Sequence, residues 1–137
     1  MSVALAYLDT SAIVKLVRPE AETKALFIEL ARWPARVSSA LARVELRRAL
    51  RRADASAQDL RRAEATLDRL TLVDIDDEVL RRASALPDKE LRALDAIHLA
   101  TALSLGRELG AMLVYDVHLQ EAARAGGLHV VAPGPRR

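Results

Sequence analysis

Short apolar runs with strand chemistry alternate along this chain with longer stretches of helical periodicity, and that alternation leaves few architectures open. Val3 to Leu8 is a brief apolar run closed by Asp9-Thr10-Ser11, a strand followed by a helix start. Ser11 to Val17 then predicts a helix that stops near Pro19. Glu20 to Ala31, with Leu26, Phe27 and Leu30 at helical spacing, predicts a second that ends before Trp33-Pro34. Arg36 to Ser38 is a second strand; Ala40 to Ala53 and Ser56 to Leu70 are two more helices, with Ser56 placed to cap the latter. Leu72 to Ile75 (strand), Asp76 to Ala85 (helix) and the turn at Pro87-Asp88 lead to an apolar helix over Leu91 to Leu105, which stops near Gly106 to Gly110. Met112 to Tyr115 (strand), Val117 to Ala125 (helix) and Leu128 to Val131 (strand) complete the pattern. Strands alternating with helices predict an α/β fold with a parallel sheet covered on both faces. Such sheets bind ligands outside the carboxyl ends of their strands.

A chain of 137 residues that is 51% hydrophobic is the size of one domain and can bury a core without staples. Zero cysteines remove disulfides, thiolate nucleophiles and thiolate–zinc sites together, and fit a reducing compartment. The start MSVALAYLDTSA lacks a basic stretch ahead of an apolar one, and no eighteen apolar residues follow one another, so a soluble protein without an export signal is expected.

Asp9, Glu45, Asp95 and Asp116 each lie in or beside an apolar segment. Removing an ionised carboxylate from water costs several kcal/mol, as an order of magnitude, unless it is paired or holds a cation, so four such acids point to one shared metal site. Each also has a simpler reading. Asp9 and Asp116 both precede helices and could merely cap them. Glu45 sits where the apolar arc of its helix (Leu46, Ala49, Leu50) meets an arginine arc (Arg43, Arg47, Arg48, Arg51), and an i,i+3 pair with Arg48 would satisfy it. Asp95 shares a helical face with Leu99 and Ala102 and, unless it caps its helix, needs a partner.

The sequence resembles the PIN-domain family, and within it the VapC ribonuclease toxins of prokaryotic toxin–antitoxin pairs. The resemblance rests on Tyr7-Leu8-Asp9-Thr10-Ser11-Ala12-Ile13-Val14-Lys15-Leu16, on Ser38-Ser39-Ala40-Leu41-Ala42-Arg43-Val44-Glu45, on Leu94-Asp95-Ala96-Ile97-His98-Leu99-Ala100-Thr101-Ala102, and on Val114-Tyr115-Asp116 with Leu119 and Ala122-Ala123. It spans essentially the whole chain. One position departs: the family often carries a threonine or serine two residues before the fourth acid, and here that residue is Val114.

The resemblance implies a PIN-like fold over residues 1–132: a central parallel sheet of about five strands flanked by helices on both faces, with residues 133–137 as a short flexible tail. It also implies that Asp9 and Asp95 are the principal metal ligands. Glu45 and Asp116 would be further ligands, directly or through water, and Thr10 or Ser11 would support the site or touch substrate. Hard oxygen donors without imidazole or thiolate select Mg²⁺ or Mn²⁺. Such an ion makes a water nucleophilic and offsets charge on the leaving 3′-oxygen, giving 5′-phosphate and 3′-hydroxyl products. Nothing in that chemistry requires a 2′-hydroxyl, so the choice of RNA follows from the resemblance. The implied partners are an RNA substrate, a VapB-like antitoxin and a second copy in a homodimer; the implied location is the cytoplasm, with no membrane.

Lysine appears only at Lys15, Lys24 and Lys89, so arginine dominates the 21 basic residues, and Arg43 and Arg48 next to Glu45 are candidates for phosphate contacts. The same arc could equally be a solvated helix face. With Tyr7, Phe27, Trp33 and Tyr115 as the only aromatics, base-stacking platforms are not expected. Leu26, Phe27, Leu30 and Trp33 are candidates for an antitoxin groove, and equally for core or a dimer seam. His98 reads as a satisfied interior histidine, and His118 and His129 as surface residues. A non-catalytic PIN-like module that binds RNA or protein is the alternative; four retained acids argue against it. A phospho-receiver domain would need paired acids near the first strand and a lysine on a late strand, and has neither.

Overall fold

The computed structural model describes residues 4–135. Five parallel strands form one sheet: β1 (Leu5–Leu8), β2 (Ala35–Ser39), β3 (Thr71–Val73), β4 (Leu109–Leu113) and β5 (Val130–Val131), in the order β3-β2-β1-β4-β5. Among the described residues seven α-helices connect them: α1 (Thr10–Val17), α2 (Thr23–Leu30), α3 (Ala42–Arg52), α4 (Ala57–Asp68), α5 (Asp77–Ser84), α6 (Ala93–Ser104) and α7 (Val117–Ala125). The strand order reverses direction between β1 and β4. Their carboxyl ends therefore flank the crevice where such sheets bind ligands.

Strand alternation splits the core in two, as side chains of period two must. Ala6, Leu8, Ala111 and Leu113 face α1 to α4 and pack with Ile13, Leu26, Leu46 and Leu67. Tyr7, Val37, Met112 and Val114 face α6 and α7 and pack with Leu99, Leu119 and Ala123. Both faces being covered explains why β1 and β4 read as continuous apolar runs. Each fully buried leucine among them contributes roughly 1.5–3 kcal/mol.

Four helices begin at side-chain caps. Asp9, Ser56, Asp76 and Asp116 accept from the backbone N–H three residues on, in α1, α4, α5 and α7 respectively. Helix α2 starts later than its periodicity predicts, at Thr23 rather than Glu20. Glu20 and Glu22 are drawn to Lys15, and the Thr23 hydroxyl donates to the Lys15 carbonyl. Strand β4 starts earlier than expected, at Leu109 rather than Met112, and ends at Leu113. Leu5 pairs with Leu109 but Ala6 with Ala111, so Gly110 is the extra residue of a bulge, and the Trp33 indole lies over it. The glycines between 106 and 110 do separate jobs: Gly106, at φ +59°, turns the chain out of α6, and Gly110 admits the indole.

The four candidate groove residues divide. Leu26 and Leu30 are core, Trp33 is half-buried against it, and Phe27 is exposed beside Ile28. Close to the predicted tail, the Pro133 carbonyl accepts from the Tyr115 hydroxyl at 2.6 Å. Residues 1–3 and 136–137, which include the start of the predicted first strand and the end of that tail, lie outside the described residues. Among the described residues no helix is long and apolar enough to cross a membrane.

Candidate active site

Asp9 follows β1 directly, and Asp116 comes three residues after β4, so the two central strands deliver two acids to the carboxyl edge at the switch point. Glu45 lies in the first turn of α3 and Asp95 in the first turn of α6, helices that pack on opposite faces of the sheet. Charge coupling ties the set together. Asp116 and Glu45 both disfavour ionisation of Asp95, and the His98 imidazole acts on Asp9, Glu45 and Asp95 alike.

Asp9 is buried. Its Oδ1 accepts from the Ser11 hydroxyl at 2.6 Å and the Ala12 N–H at 3.3 Å. Capping and site membership were rival readings of this residue; the structure shows the cap, and the cap occupies only one oxygen. Among the described residues no sealed side-chain oxygen lacks a partner, so Oδ2, which accepts no hydrogen bond there, is reached by solvent. Burial pushes the Asp9 carboxyl up to about 6, against the pull of Ser11, His98 and the two backbone N–H groups.

The same division recurs at the other acids. Asp116 is exposed, and its Oδ1 accepts from the Leu119 N–H at 2.8 Å. Glu45 makes no pair with Arg48, contrary to the i,i+3 expectation. Its Oε1 instead accepts from the Thr10 hydroxyl at 2.6 Å and lies 2.6 Å from His98 Nε2, because the helix turns this residue toward the sheet edge. Burial pushes Glu45 up, but the bonds from His98 and Thr10 outweigh it and hold its carboxyl below the usual range. Asp95 does not cap α6, whose N-cap position is Arg92, and accepts no hydrogen bond from the described residues; burial and then the charge of Asp116 raise its pKa. Each acid thus keeps at least one oxygen uncommitted to the protein.

Hydroxyls organise the edge. Ser11 Oγ, while donating to Asp9, accepts from the Tyr115 N–H at 3.0 Å, joining the β1 end to the loop that carries Asp116. A hydroxyl therefore serves this corner although position 114 is a buried valine. Of the arginine arc, Arg47 is taken by Glu64 at 2.7 Å, whereas Arg43 and Arg48 are exposed and enter no ion pair with the described residues.

The donor set suits a hard cation. As the side chains stand, no three acids or histidines among the described residues are grouped closely enough to hold an ion. A cavity of about 510 Å³ lined by Leu86, Pro87, Leu99, Leu103 and Ala122 holds none of the four acids.

A model of the family described as PIN domain matches residues 6–124. The chain belongs to the PIN-domain family. Within that family it is 50% identical over 131 residues to Ribonuclease VapC46 of Mycobacterium tuberculosis, covering 95% of this chain and 98% of the relative. Its PIN fold is similar to the crystal structure of VapC20 from the same species, a Sarcin-Ricin loop cleaving toxin, with a TM-score of 0.72 at 18% identity over 93% and 99% of the two chains. It is also similar to a chain of a toxin-antitoxin complex from Klebsiella pneumoniae, with a TM-score of 0.66 at 24% identity over 93% and 97%.

Two residues of this PIN domain were not singled out for the site from sequence: Tyr7 and the partner role of His98. The available signal was position. Tyr7 precedes Asp9 by two residues on one strand, and His98 follows Asp95 by one helical turn. His98 is the buried, satisfied histidine expected, and Glu45, one of the four candidate acids, is among the groups that satisfy it.

Proposed function

We propose that this chain is a Mg²⁺- or Mn²⁺-dependent endoribonuclease, the VapC-type toxin of a type II toxin–antitoxin pair, hydrolysing RNA at the Asp9–Glu45–Asp95–Asp116 edge. One observation supports the reading: Asp9 and Asp116 follow the two central strands at the switch point, Asp116 and Glu45 both act on the charge of Asp95, and each of the four acids keeps an oxygen that accepts no hydrogen bond from the described residues. Asp9 and Asp95 would be the principal ligands, with Glu45 and Asp116 binding directly or through water. A cation held there supplies the positive charge that makes water nucleophilic near neutral pH and offsets charge on the leaving 3′-oxygen.

The protein's own contribution is orientation. Ser11 and the Ala12 N–H fix Asp9, Thr10 and His98 fix Glu45, and the α7 N-terminus fixes Asp116. Arg43 and Arg48, exposed and in no ion pair with the described residues, would bind backbone phosphates. Water adds its oxygen to phosphorus and its proton to the departing 3′-oxygen, leaving 5′-phosphate and 3′-hydroxyl ends. The partners in this reading are RNA, a VapB-like antitoxin and a second copy of the chain, in the cytoplasm where RNA is available.

The test is cleavage of a cellular RNA pool in Mg²⁺ or Mn²⁺, with an EDTA control and end-group mapping. Discrete metal-dependent cuts bearing 5′-phosphates are expected. Binding to the native state alone stabilises by about 2.7 kcal/mol at a hundredfold excess of ion over its Kd, so saturating Mg²⁺ is expected to raise the Tm of the metal-free protein by roughly 8 °C. An unchanged Tm would remove the metal from the reading.

A further inference from the structure

A hydrogen-bonded chain, Tyr7–His98–Glu45, runs from the core to the half-buried Glu45 carboxylate. Tyr7 OH lies 2.6 Å from His98 Nδ1, the two rings meeting edge-on at 5.9 Å, and His98 Nε2 lies 2.6 Å from Glu45 Oε1. Tyr7 and His98 are both buried, and they come from the α6–α7 side of the sheet, whereas Glu45 comes from α3 on the other. The hydrogen bond therefore crosses the carboxyl edge. An ionised carboxylate can only accept, so Nε2 carries the proton of this bond whatever the state of Nδ1. Thr10 Oγ1 donates to the same oxygen at 2.6 Å and stands 3.4 Å from Nε2. Two donors on Oε1 leave Oε2 as the only oxygen of Glu45 able to act elsewhere.

We infer that His98, its ring set by Tyr7, is a positioning residue that pins Oε1 of Glu45 and thereby aims Oε2 at the metal; this rests on the metal-dependent reading above. A long glutamate side chain in the first turn of a helix would otherwise sample several rotamers, and Thr10 alone does not fix the plane of the carboxylate. Outer groups of this kind orient ligands at metal sites generally.

Two amide substitutions separate positioning from core filling. Gln at position 98 can place its N–H near the Nε2 position, keeping the donor to Glu45, whereas Asn mimics Nδ1 and keeps only the side facing Tyr7. Mn²⁺ binding, read by electron paramagnetic resonance, and RNA cleavage would be measured for wild type, His98→Gln and His98→Asn. Asn is expected to weaken Mn²⁺ binding and cleavage by about 10–100-fold and Gln to stay within about fivefold of wild type. Equal behaviour of the two variants, or wild-type Mn²⁺ affinity in His98→Asn, overturns the positioning role while leaving the metal site standing. Absence of Mn²⁺ binding by wild type overturns both readings. If neither variant folds, Tyr7→Phe carries the test by removing one hydroxyl: a loss of Mn²⁺ affinity of about 3–10-fold is expected, and wild-type affinity overturns the inference.

Discussion

Replacing Asp9 by asparagine is expected to abolish RNA cleavage, by more than the roughly 10–100-fold that loss of an outer-shell partner costs, while making the metal-free protein more stable. The two effects share a cause. Asp9 is almost fully buried with its pKa raised to about 6 from 3.8, so the folded state resists the charge that metal binding requires. A carboxyl whose folded pKa lies above its unfolded value contributes stability that is complete below about pH 4 and disappears as pH rises through about 6. The loss over that window is about 3 kcal/mol. Asparagine removes it, because its carbonyl can still accept from Ser11 and the Ala12 N–H while its amide faces the solvent-reached side. At pH 7.5 without metal the variant should melt roughly 5–10 °C above wild type, and at pH 4 the two should coincide. Thermal melts across pH in EDTA, beside the RNA assay, decide it: a variant that cuts like wild type, or melts lower at pH 7.5, would show that Asp9 is only a helix cap.

Gly110→Ala is expected to destabilise the fold by about 1–3 kcal/mol, the usual cost of forcing a methyl into a filled site. A Cβ at this position would overlap the Trp33 ring at Cζ3 and Cη2, and the ring cannot simply swing away because Nε1 donates to Glu29 at 3.0 Å. The strain has a remedy that identifies it. Trp33→Leu costs stability on its own by removing packing, yet in the Gly110→Ala background it should cost less, because it also removes the clash. Denaturant melts of the four proteins in this cycle would show the double variant less destabilised than the sum of the two single variants, and strict additivity would falsify the contact. Since Gly110 is the bulged residue of β4, relief there also preserves the register that carries Asp116 to the edge.

Element type was legible from local pattern, and element bounds were not. Periodicity, with Ser56 as a cap candidate, located helices that end within a few residues of prediction, and the structure adds side-chain caps at Asp9, Asp76 and Asp116. Start points moved where contacts from outside the element competed: the Thr23 hydroxyl donates to the Lys15 carbonyl, and β4 gains Leu109, Gly110 and Ala111 through pairing with β1 and packing on Trp33. The apolar set Leu26, Phe27, Leu30 and Trp33 could not be divided into core and surface from spacing alone. A helical stripe does not say how wide the covering layer is, and here two of the four fell inside.

The sequence by itself determined the four acids, their order, and the strands and helices that bear them, because each is a local pattern of polarity and caps. Tertiary structure decided what each acid does with its two oxygens. Glu45 was read against Arg48 on its own helix, where neighbours are set by the 3.6-residue repeat. Its actual partners are Thr10, 35 positions away, and His98, 53 positions away, itself held by Tyr7 across a separation of 91. Those contacts exist only once two helices from opposite faces meet over the end of β1. A buried histidine and a half-buried hydroxyl satisfying a half-buried acid outweigh a solvent-screened arginine at the surface, which is why the local rule lost.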